Sequence, residues 1–273
     1  MNMIPIRLSV TTDYLIPAGE SYVLVDTGYA EDWNLFQKRL TEAGVSLAQV
    51  SHLILTHHHD DHCGLLQPIL RENDSIRVVM SDSCAELIQK GENDQTHGGG
   101  LLNRRVAFLI RRKQLYVSLI LRRKIDRSEN LKFKPYFCRQ NDIVFQGEPF
   151  LREFGIPLKG KILRTPGHTE DSVSILFSDG DCLVGDAAAD MLWFAGTKNC
   201  VIFICNLPQY YKSWEKLLSA GALRIFPAHG RPFSADRLIK NMWKNRERDI
   251  VSNGSLRPDA GNHHHNKERE KEK

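Results

Sequence analysis

The chain contains no apolar run long enough to cross a membrane as a helix. Met1 to Glu20 lacks a charged start followed by a long apolar stretch, so no signal peptide is expected. There is no C-x-x-C pair; six cysteines (63, 84, 138, 182, 200 and 205) are scattered through 273 residues. That scarcity argues against a disulfide scaffold and for a reduced, cytoplasmic protein with mostly buried thiols. A nucleotide-binding glycine loop is also missing, because Gly98-Gly99-Gly100 has neither the spacing nor the strand-to-helix setting. What is present is 41% hydrophobic residues, enough for a sizeable core in a soluble globular protein of one large or two ordinary domains.

Acidic residues are scarce in one place. Leu101 to Arg139 holds twelve Lys/Arg and only Asp126 and Glu129, a local charge of +10 in a chain of +4, leaving −6 for the rest. No Gly or Pro interrupts Leu101 to Leu131, which predicts one or two helices. Three readings stand: a helical cap with a solvated basic face, a surface for an anionic substrate such as RNA, and a membrane-surface helix. If it is a cap, Phe108, Leu109, Tyr116 and Leu119 should face the cleft or pack on the domain, with the arginines outside. Elsewhere strands and helices alternate, the pattern of an α/β layered domain. Ile4 to Val10 and Tyr22 to Val25 read as strands, and Trp33, Phe36, Leu40 and Ala43 recur at helical spacing before Gly44. Pro68 either bends a helix or opens a short one. Pro208 to Ala220 reads as a helix, and Ser234 can cap a last amphipathic one with Leu238, Ile239 and Trp243 inward. From about Arg257 to Lys273 the chain is polar and charged, which predicts a disordered tail; His263-His264-His265 lies within it.

The densest chemistry is Thr56-His57-His58-His59-Asp60-Asp61-His62. It follows the strand-like Leu53-Ile54-Leu55, so three imidazoles and a carboxylate arrive together at one sheet edge. Ligands of these types suit Zn²⁺ best, with Fe or Mn as alternatives. Cys63 reads as packing. Asp26 is either a turn residue bonding its own backbone or a partner of the metal ligands.

This stretch resembles the signature of the metallo-β-lactamase superfamily. The other motifs follow in order: Val25-Asp26-Thr27-Gly28, Thr165-Pro166-Gly167-His168-Thr169, Val184-Gly185-Asp186 and Phe226-Pro227-Ala228-His229-Gly230. The resemblance implies an α/β fold, an αββα sandwich over residues 1–256, with 101–139 as a basic helical cap insertion between the second and third metal motifs and 257–273 as the tail. It implies that His57, His59 and His168 hold one divalent ion, that Asp61, His62 and His229 hold a second, and that Asp186 bridges them. Asp61 and Asp186 are the catalytic carboxylates of that reading, and His58 points away, exposed or behind the ligands. Two zinc ions would then activate a bridging hydroxide without a serine or cysteine nucleophile. An aspartate at 186, where dizinc β-lactamases usually carry cysteine, argues against that activity. The expectation is hydrolysis of an ester, thioester or lactone in a small-molecule substrate. The alternatives are phosphodiester cleavage, RNA included, and a metal-bound regulatory module.

Overall fold

The computed structural model describes residues 2–94, 99–121 and 132–252. In chain order, β1 (Ile4–Arg7), β2 (Thr12–Ala18) and β3 (Ser21–Val25) form an antiparallel meander. Helix α1 (Trp33–Glu42) leads to β4 (Val50–Ile54); α2 (Asp60–Cys63) and α3 (Leu66–Glu72) lead to β5 (Arg77–Ser81), and α4 (Asp82–Leu87) follows. After β6 (Gly100–Leu101), α5 (Arg104–Leu121) and β7 (Ile143–Phe145) come β8 (Gly160–Arg164), β9 (Val173–Phe177) and β10 (Asp181–Gly185). The rest is β11 (Phe203–Ile204), α6 (Leu207–Ser219), β12 (Arg224–Pro227), β13 (Phe233–Ser234), α7 (Asp236–Asn241) and β14 (Val251–Ser252).

Two sheets stack face to face, one ordered β1-β2-β3-β4-β5-β7 and the other β13-β12-β10-β9-β8. Strand alternation explains the layering. On β2, Tyr14 and Ile16 join Val23, Ile54, Ile175 and Leu183 between the sheets. Leu15 points the other way, with Leu24, Leu53 and Val78, onto Phe36 and Leu40 of α1 and Ile69 of α3. On the opposite outer face, α6 buries Tyr210, Tyr211, Trp214 and Leu217 against Cys182, Val184 and Ile225. Helix, sheet, sheet, helix is the αββα sandwich that the sequence led us to expect.

Two expectations fail. Helix α7 ends at Asn241, and only Leu238 of its three expected core residues is buried; Ile239 and Trp243 are exposed. The chain leaves the helix at Met242, Trp243 takes a positive φ of 59°, and its indole donates to Glu215. In α5 Leu109 packs beside the buried Val106 and Ala107 and Arg104, Arg105, Arg111 and Arg112 are exposed, as expected of a cap, but Phe108 stands exposed beneath the Arg112 guanidinium. The side chains of Tyr116 and Leu119, residues 122–131 and the tail from 253 lie outside the described residues. Pro68 sits in the first turn of α3, where its missing N–H costs nothing. Among the described residues no helix is long and apolar enough to cross a membrane.

Candidate metal centre

The site forms where strand ends from both sheets meet. The end of β4 delivers Thr56 and His57, and the short α2 carries Asp61 and His62. The loop between β8 and β9 carries His168, the end of β10 delivers Asp186, and the end of β12 delivers His229. Two close approaches hold the edges together. The Val173 N–H donates to the Thr56 carbonyl across the sandwich at 2.9 Å. Gly185 has φ +48°, and a Cβ there would lie 2.5 Å from Thr56 Oγ1, so the turn into Asp186 needs a glycine.

All seven residues expected from the sequence converge. Three sets of donor atoms lie mutually within 4.8 Å: His57, His59 and His168; His57, His62 and Asp186; Asp61, His62 and His229. Asp186 stands between the two flanks. Its Oδ2 is 3.3 Å from His168 Nε2, and its Oδ1 is 3.3 Å from His229 Nε2 and 3.4 Å from His62 Nε2. Asp61 Oδ2 lies 3.3 Å from His229 Nε2.

The outer ring nitrogens show which way each imidazole offers its lone pair. His62 Nδ1 is 2.9 Å from Asp26 Oδ2, His168 Nδ1 is 2.8 Å from the Phe203 carbonyl and His229 Nδ1 is 3.2 Å from the Val10 carbonyl. The Thr56 hydroxyl donates to Asp26, so its lone pair accepts from His57 Nδ1 at 3.1 Å. In these four rings Nδ1 is therefore a donor and Nε2 faces inward, where it can hold a metal ion or, without one, a proton. His59 is turned the other way, with Nδ1 only 3.0 Å from His168 Nε2. Two acceptors facing at that distance need a cation or a proton between them. His57 Nε2, His62 Nε2 and Asp186 Oδ1 are buried with no hydrogen-bond partner, and so is His59 Nε2 on the outer side of its ring. A buried polar group without a partner is costly, and a divalent ion on imidazole and carboxylate donors satisfies the inward-facing three. The residues fit the group.

Asp26 is thus a partner of the ligand loop. Its Oδ1 takes the Thr56 N–H and its Oδ2 takes the Thr56 hydroxyl and His62 Nδ1. Cys63 is buried in the core with its thiol toward the His58 carbonyl, as packing. His58 does point away from the cluster, but it is buried, and it carries a role the sequence did not reveal. Its backbone N–H donates to Asp171 Oδ2 at 2.9 Å, its Nδ1 donates to Asp171 Oδ1 at 3.0 Å, and its Nε2 accepts the Asp94 N–H at 3.0 Å. Asp171 belongs to the His168 loop, so this pair ties two ligand-bearing loops together. No spacing rule flags an aspartate 113 residues from its partner.

A cavity of about 320 Å³, lined by Tyr29, Ala30, Glu31, Asp60, Gly64, Lys132 and Phe133, opens one residue from Asp61. Burial and the Asp61 and Asp60 carboxylates push the Tyr29 phenol up, so it stays a donor. Burial and Asp61 also push Asp60 up to about 6.

Electrostatics divide the imidazoles. Burial, then neighbouring histidines, press His57 and His59 well below the ordinary range; burial also lowers His168. Burial works the same way on His62 and His229, but carboxylates outweigh it. Asp61, Asp26 and Asp186 raise His62, and Asp186 and Asp61 lift His229 to about 10. Metal-free, these two rings carry protons facing anionic Asp61 and Asp186, whose pKa values the same pairs hold low against burial. Metal must displace the protons. Adding Zn²⁺ to metal-free protein near pH 7 is therefore expected to acidify a weakly buffered solution, by up to one proton from each ring. Apparent affinity should rise with pH; an indicator dye showing no release would contradict the pairing. For stability the sign is fixed. The raised histidines stabilise the metal-free fold fully below their ordinary pKa and lose this as pH climbs toward about 10. The lowered carboxylates contribute above their ordinary range and lose this as pH falls.

Comparison with known proteins agrees with this geometry. The sequence profile described as the metallo-beta-lactamase superfamily matches residues 7–229. The chain is 24% identical over 258 residues to the "Probable metallo-hydrolase YqjP" of Bacillus subtilis, covering 87% of this chain and 73% of that protein. It is 33% identical over 99 residues to the "Thioesterase pkgB" of Emericella nidulans, covering 35% of this chain and 28% of that one. It spans 66% and 73% of the length of two curated relatives that it matches along most of its own length. Its fold superposes on the metallo-beta-lactamase family protein TTHA1429 of Thermus thermophilus with a TM-score of 0.57 at 18% identity, over 88% of this chain and 77% of that one. With a profile match over most of its length and the ligand-type residues in one cluster, the chain belongs to the metallo-β-lactamase superfamily.

Proposed function

We propose that the chain is a dinuclear metal-dependent hydrolase acting on an ester, thioester or lactone bond of a small-molecule substrate. One observation carries this reading: inward-facing donors on both sides of Asp186, with the outer Nδ1 of His57, His62, His168 and His229 already tied down. His57, His59 and His168 would hold one ion, Asp61, His62 and His229 the other, with Asp186 between them. Bound divalent ions, zinc by preference, would supply Lewis acidity that lowers the pKa of water and polarises a carbonyl. The chain supplies the rest. Asp26, Thr56 and the Phe203 and Val10 carbonyls fix the ring tautomers. The cavity beside Asp60 would give the substrate a wall, with Tyr29 in its lining. Local similarity to a protein named a thioesterase supports an acyl substrate. Six free cysteines, four of them buried, suit a reducing compartment such as the cytoplasm.

The test is a panel of chromogenic esters, thioesters, lactones, phosphodiesters and β-lactams, with chelation as control. Turnover of an acyl substrate is expected to need no organic cofactor, to vanish on metal removal and to return with zinc or manganese. Activity surviving complete metal removal would overturn the reading. Preference for phosphodiesters would shift it to the nuclease-like branch, and no turnover at all would leave a metal-bound binding module.

A further inference from the structure

We propose that the turn at Trp193–Ala195 and the exposed face of α5 form a surface that docks on an anionic lipid bilayer. Trp193 is 79% exposed and Phe194 58%, and they stand edge to face at 84° on a single 3₁₀ turn. The turn is entered through Leu192 at φ 47°, a left-handed conformation that an aliphatic residue adopts only at a cost. Below it, the Ala195 carbonyl accepts the Asn103 side chain at 3.2 Å, and Ala195 and Leu192 pack with Val106, Ala107 and Ile110 of α5. The aromatic pair is therefore braced on the start of that helix. Arg104, Arg105, Arg111, Arg112 and the 54%-exposed Phe108 occupy the solvent side of the same turns. No Asp or Glu occurs from Leu101 to Ile125.

Exposed Trp and Phe braced on a helix whose solvent side carries arginines match an interface of anionic headgroups over acyl chains: arginines meet the surface charge and aromatics partition at headgroup depth. Nucleic acid is the poorer match. Phosphates would use the arginines alone, and two rings at 84° present a wedge rather than parallel faces for stacked bases. The surface also adjoins the site. Leu101, at the foot of α5, pairs with Phe203, whose carbonyl holds His168. The docking does not depend on which bond the centre cleaves.

Co-sedimentation of the full chain with vesicles of phosphatidylcholine, alone or with about one-third phosphatidylserine, tests it. Binding is expected on the mixed vesicles only, to weaken with salt, and to blue-shift tryptophan fluorescence in a way that W193F removes. R104Q/R105Q should weaken binding roughly 30-fold, about fivefold per charge. W193A/F194A should weaken it at least about tenfold at every salt concentration. Both pairs are exposed, so circular dichroism and turnover of a soluble substrate should not change. No binding to the mixed vesicles at low salt overturns the proposal. So does equal binding by W193A/F194A, which would leave a purely electrostatic contact of the kind RNA makes. A third overturning result is self-association that needs Trp193 and Phe194 in a protein that ignores vesicles.

Discussion

Asp186→Ala is expected to fold and to lose turnover by about three orders of magnitude or more, the scale of removing a principal electrostatic group from an active site. The geometry sets the size of the effect. One carboxylate reaches His168 through Oδ2 and both His62 and His229 through Oδ1. On the proposed dinuclear reading, removing it takes the shared anion from between two cations, whose mutual repulsion it would offset. Elemental analysis should fall from two metal ions per chain in the wild type to one or fewer. In the metal-free variant, His62 and His229 lose part of the field that raises them, so proton release on titration with Zn²⁺ should shrink. Asp186→Asn keeps the shape and separates charge from packing; it should fold as the wild type does and still fail to retain the second ion. Wild-type turnover in either variant would refute the role given to Asp186. A wild-type protein that reproducibly holds one ion or none, whatever zinc is added, would refute the dinuclear reading itself.

Asp171→Ala should damage the centre from behind. Burial alone would raise this carboxyl, but the His58 imidazole and the Thr169 hydroxyl hold it low, so it is an anion inside the protein. Its loss strips acceptors from the backbone N–H and the ring Nδ1 of His58, both buried. Each orphaned group costs about 1–3 kcal/mol, so Tm should drop by roughly 5–15 °C for a chain of this size. Because His58 lies between His57 and His59, and Asp171 three residues beyond His168, metal affinity should fall about 10–100-fold as well. His58→Asn can keep a donor near the Nδ1 position and should recover much of the loss shown by His58→Ala. A calorimetric melt and a zinc titration check both effects. If Asp171→Ala melts within a degree of wild type and binds zinc as tightly, the link between the two loops carries nothing.

How much could be read from the sequence depended on distance along the chain. His57, His59, Asp61 and His62 fall within six residues after a buried strand, so donor types and spacing alone predicted a metal cluster. His168, Asp186 and His229 were legible only through the family resemblance, each in a short motif after its own strand. The layered class was legible because strand-like and helix-like segments alternate along the chain, and because apolar residues run continuously where both faces are buried, as in Leu53-Ile54-Leu55. The last helix misled because Leu238, Ile239 and Trp243 have helical spacing. Periodicity does not say that Met242 ends the helix or that Trp243 finds Glu215.

Which ring nitrogen faces the centre was beyond the sequence. Asp26, the Phe203 carbonyl and the Val10 carbonyl decide it, and they lie 36, 35 and 219 residues from the histidines they hold. The His58–Asp171 clamp, the glycine demanded at 185 by Thr56, and the exposure of Trp193, Phe194 and Phe108 are of the same kind. Ligand chemistry and strand pattern are local properties that a few consecutive residues encode. Lone-pair direction, buried pairing and exposure depend on what another strand brings alongside, and only the packing of the two sheets determines that.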